Sequence, residues 1–272
     1  MSNLSNERVR CTITDGVADV RMIRVDKMNA LDDAMFMALR ETGERLCQEK
    51  GLRAVVLSGE GRAFCAGLDM GRFATMAEGS ANVSHQMRLG TRTHGLSNAP
   101  QHTVMVWQDV PVPVIAAVHG VALGGGFQLC LGADIRLVTA DVKMSILEIK
   151  WGLVPDMGGV YLMQKLARAD VIRELTYTGR MFSGTEAQQY GFATRVCTDP
   201  YAEALVLARD IAQKSPHAIR ANKRLLKVGE SGDAARILQA ESDEQIAVMG
   251  GPNQVEAVRA GVEKRVAKFV DL

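Results

Sequence analysis

The residues best suited to chemistry lie in two glycine turns, each of which follows a predicted buried strand. The apolar run Val114–Val118 is typical of a buried strand, and Gly124-Gly125-Gly126 follows it, just before a predicted helix over residues 127–131. Ala66-Gly67-Leu68 follows a second predicted strand over residues 54–57. Glycines leave backbone N–H groups uncovered, and a helix N-terminus adds partial positive charge. Two N–H groups that meet at one carbonyl oxygen form an oxyanion hole, whereas the alternative is that the glycines only allow tight packing of a helix on a sheet.

Two acidic residues in a later glycine-rich loop are candidates to act on a substrate held at these turns. Glu148 and Asp156 belong to the stretch of residues 148–159, which leads into a predicted helix from about residue 160. A group that polarises a carbonyl, together with a carboxylate, can remove a proton from the carbon next to that carbonyl. The structural alternatives are an acid at a strand end for Glu148 and a turn residue after Pro155 for Asp156.

Other glycine motifs are excluded by their spacing. The third glycine of a dinucleotide-binding fingerprint would fall on Leu129, no lysine follows a glycine cluster as in a Walker motif, and no Gly-x-Ser-x-Gly sequence is present. The sequence therefore argues against a nucleotide-binding loop of these two kinds and against a serine hydrolase of the nucleophile-elbow type.

Composition narrows the class of protein further. The chain has 272 residues, 47% of them hydrophobic, and a formal net charge of +1 with acids and bases interspersed, so it can bury a sizeable core and lacks a nucleic-acid or membrane-surface charge pattern. No apolar run reaches the length of a membrane span, and residues 1–10 lack the apolar core of a signal peptide. The five scattered cysteines indicate reduced thiols, and the five histidines show no metal-ligand spacing. We therefore expect a cytoplasmic protein without a metal, nucleic-acid partner or membrane association.

The elements that must position these residues alternate between strands and helices in the first part of the chain. Residues 17–23, 134–138 and 142–146 are predicted strands, and Asp32 is a predicted N-cap for a helix running to about residue 50. Residues 71–101 have weak periodicity and are interpreted as a partly helical segment. This alternation predicts an α/β fold.

Helices dominate the last part of the chain. Ser183-Gly-Thr-Glu186 has the pattern of a capping box before a short helix ended by Gly191, and the chain is predicted to be helical from about residue 201. Pro216 and Pro252 suit first helical positions, the latter in a final helix to about residue 270. The change near residue 200 predicts a core over residues 1–200 and a helical region over residues 201–272.

Several motifs in order along the chain strongly resemble the crotonase superfamily, which contains the enoyl-CoA hydratases and isomerases. They are Arg24-x-x-Lys27-x-Asn-Ala-Leu31, Ala63-Phe-Cys-Ala-Gly-Leu-Asp69, Pro113-Val-Ile-Ala-Ala-Val-His-Gly-Val-Ala-Leu-Gly-Gly-Gly126 and Gly152-Leu-Val-Pro155. The resemblance implies a spiral of ββα units with C-terminal helices used in trimerisation, commonly in a hexamer of two trimers. It also implies an acyl-CoA thioester as substrate, with coenzyme A entering as part of that substrate and no separate cofactor.

The resemblance assigns roles to residues at matching positions. The two oxyanion-hole amides match Leu68 and Gly125, which would hold the thioester oxygen as it becomes an enolate oxygen. The residues that match coenzyme A contacts are Lys27, Ala30, Ala66, Leu68, Asp69, Met70 and Lys264. Either lysine is equally well explained as a solvated surface charge.

One departure from the family pattern bears on the reaction. Hydratases of the family carry two glutamates around the attacking water; the second matches Glu148, but the first falls on Gln128, whose amide has no useful proton chemistry near neutral pH. Asp156 lies where dienoyl-CoA isomerases of the family carry a functional aspartate, although those enzymes also have an acid at the position of Gln128. We therefore favour double-bond isomerisation. Hydration in fatty-acid or related acyl-CoA degradation is the first alternative, and acyl-CoA hydrolysis or non-catalytic acyl-CoA binding are further ones.

Overall fold

The computed structural model describes residues 2–5, 7–72 and 89–271. Its main feature is a seven-stranded sheet in the order β1-β2-β3-β4-β5-β7-β9, beside a two-stranded sheet formed by β6 and β8. The strands are β1 (Ser2–Ser5), β2 (Val9–Thr14), β3 (Val17–Met22), β4 (Ala54–Gly59), β5 (Val114–Val118), β6 (Val121–Leu123), β7 (Ile135–Val138), β8 (Lys143–Ser145) and β9 (Arg195–Val196). The first three strands pair antiparallel, and pairing is parallel from β3 to β9. The predicted α/β fold is confirmed.

Helices cover both faces of the parallel part of the sheet. The helices are α1 (Asp33–Cys47), α2 (Ala99–Asp109), α3 (Gly125–Leu131), α4 (Gly159–Met163), α5 (Ala169–Thr178), α6 (Gly184–Tyr190), α7 (Pro200–Ala212), α8 (Pro216–Gly229), α9 (Ala234–Val248) and α10 (Pro252–Glu263). Every residue of β4 and β5 is buried, which is typical of parallel strands covered on both sides. The larger core cluster includes residues of α1, α2 and α3, and a smaller one packs Ala204 and Ala208 of α7 against the other face of the sheet.

Capping residues set several helix ends where the sequence predicts them. The Asp32 carboxylate accepts a hydrogen bond from the Met35 N–H at 2.8 Å, which starts α1 as predicted. Ser183 and Glu186 form the predicted capping box of α6, and Gly191 ends that helix with φ of 96°.

Two helix boundaries differ from the predictions. The final helix ends at Glu263 rather than near residue 270, because Asn253 holds the tail back against it through hydrogen bonds to both the N–H and the carbonyl of Val270, each 2.9 Å. The regular helix α2 was not predicted, although Asn98 and Gln101 form a capping box at its start. Residues 73–88 of the segment predicted to be partly helical lie outside the described residues.

The last helices present apolar side chains to solvent in this chain. No residue of α9 is buried, and Leu226, Ile246 and Val262 are each more than 70% exposed. The division at residue 200 and the use of residues 201–272 in trimerisation stay predictions. Among the described helices none is both long and apolar enough to cross a membrane.

Candidate active site

A cavity of about 1520 Å³ lies where the turns after β4 and β6 meet. Its lining includes both predicted oxyanion-hole residues, Leu68 and Gly125, and the three predicted catalytic residues, Gln128, Glu148 and Asp156. The structure therefore brings together, around one space, residues that are up to 88 positions apart in the sequence.

The two glycine turns are held against each other by backbone pairing. The Cys65 N–H donates to the Val121 carbonyl at 3.0 Å, and the Leu123 N–H donates to the Cys65 carbonyl at 3.1 Å. Gly67 has φ of 86°, and a Cβ there would lie 2.5 Å from the Leu123 carbonyl oxygen and 3.8 Å from the Gly125 nitrogen. Only glycine accommodates both this backbone angle and this approach, and it places the turn beside the start of α3.

The Leu68 and Gly125 amides are available to a ligand. The Leu31 N–H donates to the Gly67 carbonyl at 2.8 Å and the Asp69 N–H donates to the Leu31 carbonyl at 3.1 Å, so the intervening Leu68 N–H is directed away from this pairing. Gly125 is the first residue of α3, where backbone N–H groups have no partner within the helix. Within the described parts of the chain, neither amide donates a hydrogen bond. The arrangement suits an oxygen that gains negative charge.

Gln128 and Glu148 form a hydrogen-bonded pair in the cavity wall. The Gln128 side chain is fully buried, and its Oε1 accepts hydrogen bonds from the backbone N–H groups of Met157 at 2.9 Å and Gly159 at 3.0 Å. These two donors fix the amide orientation, so Nε2 must face Glu148, whose Oε1 accepts from it at 2.5 Å. One oxygen of the Glu148 carboxylate is thereby held in place.

The second oxygen of Glu148 has different surroundings from the first. Glu148 Oε2 is buried and has no hydrogen-bond partner among the described residues. Burial raises the pKa of the Glu148 carboxyl above its ordinary value, and the negative charge of Asp156 raises it further, whereas the hydrogen bond from Gln128 opposes the rise. A partly desolvated carboxylate with one uncommitted oxygen is well suited to accept a proton from a bound substrate.

The two segments predicted to contact coenzyme A are joined by Arg24. Its guanidinium donates to the Asp69 carboxylate at 2.6 Å and to the Ala30 carbonyl at 3.0 Å. Arg24 was not predicted as a site residue, although it begins the first family motif and lines the cavity. Asp69 is therefore ion-paired within the chain, where it ties the two segments together.

The remaining predicted coenzyme A residues divide into two groups. Ala30, Ala66, Met70 and the exposed Lys27 line the cavity, whereas Lys264, at the end of α10, does not lie among its lining residues. Of the unpredicted lining residues, Phe36 and Met37 of α1, Leu89 before α2 and Pro100 in its first turn give one part of the cavity an apolar wall. The helical spacing of apolar residues in α1 could have indicated the lining residues of that helix. No comparable pattern in the sequence indicates Leu89 or Pro100.

Comparisons with known proteins agree on one family. Residues 12–271 match the family model for enoyl-CoA hydratase/isomerase. The mitochondrial Delta(3,5)-Delta(2,4)-dienoyl-CoA isomerase of Mus musculus is 30% identical over 263 residues, covering 93% of this chain and 79% of that protein. The mitochondrial enoyl-CoA hydratase domain-containing protein 2 of Homo sapiens is 31% identical over 265 residues, covering 94% and 86%.

Solved structures give the same result. The enoyl-CoA hydratase of Bacillus anthracis superimposes with a TM-score of 0.87 at 28% identity, covering 97% of this chain and 99% of that one. The enoyl-CoA hydratase of Mycobacterium smegmatis superimposes with a TM-score of 0.84 at 27% identity, covering 97% and 99%. The predicted crotonase-like spiral is confirmed.

The predicted cytoplasmic location is wrong by these comparisons, because the curated relatives are mitochondrial proteins. All five cysteines are free in the structure, but free thiols do not distinguish one reducing compartment from another. The family model, the relatives and the solved structures together show that the chain is an enzyme of the crotonase superfamily and belongs to the enoyl-CoA hydratase/isomerase family.

Proposed function

We propose that this enzyme moves a carbon–carbon double bond along the acyl chain of an enoyl-CoA thioester, with Glu148 as the group that removes and returns the proton. The observation that carries this proposal is the 2.5 Å hydrogen bond from the Gln128 amide to Glu148, the predicted base in the cavity wall. Because residue 128 is an amide, Glu148 is the one member of this hydrogen-bonded pair that can remove and return a proton.

The proposed reaction begins with the thioester oxygen between the Leu68 and Gly125 N–H groups. Glu148 removes the α-proton of a 3-enoyl thioester, and the electron pair of the broken C–H bond delocalises over the carbonyl oxygen and the existing double bond. The two amides stabilise this dienolate because they are fixed before charge develops. The protonated Glu148 then returns the proton at the γ-carbon, so the double bond moves next to the carbonyl and the mass of the substrate is unchanged.

The state of Gln128 supports isomerisation over hydration. Hydration requires a water that is deprotonated as it attacks and a proton that is delivered to the neighbouring carbon, a task that two carboxyl groups share in the family's hydratases. The Gln128 amide is held by hydrogen bonds at both ends and does not act as an acid or a base near neutral pH. Hydration is the second candidate function, and water addition by the wild-type protein would identify it.

The contacts of Glu148 also bear on whether the protein only binds acyl-CoA. A purely structural acid in this position would be buried and neutralised by a cation. Among the described residues no lysine, arginine or histidine pairs with Glu148, and its hydrogen-bonded neighbour is a neutral amide. This arrangement favours catalysis over binding alone, since an unpaired buried carboxylate costs stability and needs a functional reason.

Asp156 is the proposed source of specificity for substrates with more than one double bond. It lies on the cavity wall, and its charge acts on Glu148. A second carboxylate farther along the acyl chain can exchange a proton at a more distant carbon, which suits a 3,5-dienoyl thioester. The relative named as a dienoyl-CoA isomerase supports testing this substrate class. We further propose that Lys27 lines the coenzyme A nucleotide and that Lys264 reaches its phosphates. We also propose that the chain assembles as a trimer or hexamer.

Three parallel incubations distinguish the candidate reactions. The purified enzyme is given crotonyl-CoA, a 3-enoyl-CoA or a 3,5-dienoyl-CoA separately in heavy water, and the products are analysed for mass, double-bond position and free thiol. Isomerisation moves the double bond, hydration adds water, and hydrolysis releases free thiol. Glu148→Gln is the variant that tests the base: if it keeps wild-type deuterium exchange at the α-carbon, the proposed mechanism is wrong.

A further inference from the structure

Outside the reaction centre, two histidines and a glutamate converge at the junction of α1, α2 and the residues before α2. Nε2 of His94 and Nε2 of His102 each lie 3.4 Å from Oε1 of Glu44. The three ligand atoms all lie within 4.8 Å of one another. The side chains are partly buried, with exposed fractions of 25%, 13% and 42% for His94, His102 and Glu44.

Tight helix packing creates this cluster. A Cβ on Gly43 would lie 2.6 Å from a methyl group of Val106, so only glycine lets α1 and α2 approach this closely. The neighbouring residue of α1, Glu44, is thereby brought against His102 in the first turn of α2. Both helices contribute buried residues to the larger core cluster, which holds this contact in place.

The third member of the cluster is positioned by its own short loop. His94 and Ser97 exchange two backbone hydrogen bonds, each 3.0 Å, and the Asn98 side chain donates to the Leu89 carbonyl at 2.9 Å. The Thr93 hydroxyl lies 2.7 Å from Nδ1 of His94, which leaves Nε2 of that ring directed toward Glu44. In metal sites, the histidine ring nitrogen that does not bind the metal is usually held by a hydrogen bond of this kind.

We propose that Glu44, His94 and His102 form a binding site for a divalent transition-metal ion of the Zn²⁺ type. Two imidazole nitrogens and one carboxylate oxygen are a characteristic Zn²⁺ ligand set, with solvent supplying the fourth ligand at an open position. In a tetrahedral site with bonds of 2.0–2.1 Å, neighbouring ligand atoms are about 3.4 Å apart, which matches both nitrogen–oxygen distances. The sequence predicted no metal because the histidines lack metal-ligand spacing along the chain. These three ligand atoms come together only when α1 and α2 pack against each other.

Binding requires a small rearrangement of the rings. The His94 and His102 rings are stacked with centroids 4.3 Å apart and planes 17° apart. A lone pair lies in the plane of its ring, so one ring must turn about its Cβ–Cγ bond for both nitrogens to face the ion. The ion would then join α1 and α2 to the loop before α2, whose Thr91 and Thr93 line the acyl-CoA cavity.

Titration of tag-free, metal-stripped enzyme with ZnCl₂ in an isothermal calorimeter tests the site. We expect one Zn²⁺ per chain and a rise in Tm with Zn²⁺. Losing a residue that only supports a ligand typically weakens metal binding by about 10–100-fold. His94→Gln and His102→Gln remove direct ligands and should each weaken Zn²⁺ binding by at least this much, whereas Thr93→Val should weaken it by about 10-fold. His217→Gln, which removes a histidine remote from the cluster, should bind as the wild type does.

Two outcomes would overturn the proposal. The first is a wild-type enzyme that shows no saturable binding at millimolar Zn²⁺. The second is a pair of histidine variants that keep the wild-type stoichiometry and Kd. Circular dichroism of each variant shows whether it is folded, and Glu44→Gln, which preserves side-chain shape, provides an independent test if a histidine variant does not fold. None of these readouts depends on turnover, so they remain informative whatever reaction the enzyme catalyses.

Discussion

Gln128→Glu is the most informative single substitution, because it restores the second carboxyl group expected of a hydratase. The new carboxyl would keep the hydrogen bonds from the Met157 and Gly159 N–H groups and would face Glu148 at the 2.5 Å now measured from the amide nitrogen. Two negative charges at that distance repel by about 7 kcal/mol at an effective dielectric constant of 20. This repulsion corresponds to a bias of about 10⁵ against ionising both groups.

The pair formed by residues 128 and 148 would therefore share one proton near neutral pH, as two adjacent carboxyl groups do in aspartic proteases. One member would be an acid and the other a base, which is the equipment that hydration needs. We expect hydration of crotonyl-CoA to rise by about 10²–10⁴-fold, the usual contribution of a positioned acid or base. Isomerisation of a 3-enoyl-CoA should fall, because the base is then partly protonated.

The assay follows the ultraviolet absorbance of the conjugated thioester, with mass spectrometry to confirm water addition. Gln164→Glu makes the same chemical change at an exposed position of the same part of the chain and serves as the matched control. If Gln128→Glu folds, still isomerises a 3-enoyl-CoA and gains no hydration, then the missing carboxyl is not what prevents water addition, and the reasoning is wrong.

Further expectations can be checked with standard methods. Gly125→Val should lower turnover by about 10²–10³-fold, because the valine side chain blocks the oxyanion position. The new Cβ would lie 2.9 Å from side-chain atoms of Leu31 and Met157, which can shift, so circular dichroism should show a folded protein. Full activity of this variant would exclude the assignment of Gly125 to the oxyanion hole. Glu148→Gln should raise Tm at neutral pH, because burial raises the pKa of the Glu148 carboxyl in the folded wild-type protein. The wild type is fully stable below the unfolded pKa of this group and loses stability as pH rises through the higher folded pKa, whereas a glutamine does not titrate. The gain in Tm should therefore vanish in acid, and an equal gain at all pH values would contradict this reasoning. Asp156→Asn should move the acid limb of the kcat/KM profile to lower pH by removing a neighbouring negative charge, and should change which double-bond positions are accepted; an unchanged profile would show that Asp156 does not act on the base. Light scattering should show a trimer or hexamer, and a stable monomer at micromolar concentration would refute the assembly proposed for the C-terminal helices.

The sequence predicted elements whose signals are local. The strand Val114–Val118 is a continuous apolar run, the cap at Asp32 is a single residue, and the helix end at Gly191 needs only one glycine, so each could be identified without knowing the fold. The end of α10 could not, because it depends on hydrogen bonds between Asn253 and a residue 17 positions away.

The candidate site follows the same division. Family motifs were sufficient to predict Leu68, Gly125 and Glu148, all of which line one cavity. The orientation of Gln128 could not be predicted, since it is set by two backbone N–H groups from another loop. The Glu44 cluster was likewise invisible in the sequence, because no spacing rule reports how closely two helices pack.

The two N–H groups directed into the cavity belong to the backbone, and this has a consequence for how the protein can diverge. Every amino acid except proline carries a backbone N–H, so most codon changes at Leu68 would replace the side chain and keep the donor. Gly125 has less freedom, since a Cβ there would be crowded. Mutation can thus reshape the wall of the cavity at residue 68, and with it the choice of acyl group, while the donor that would hold the substrate oxygen is inherited unchanged.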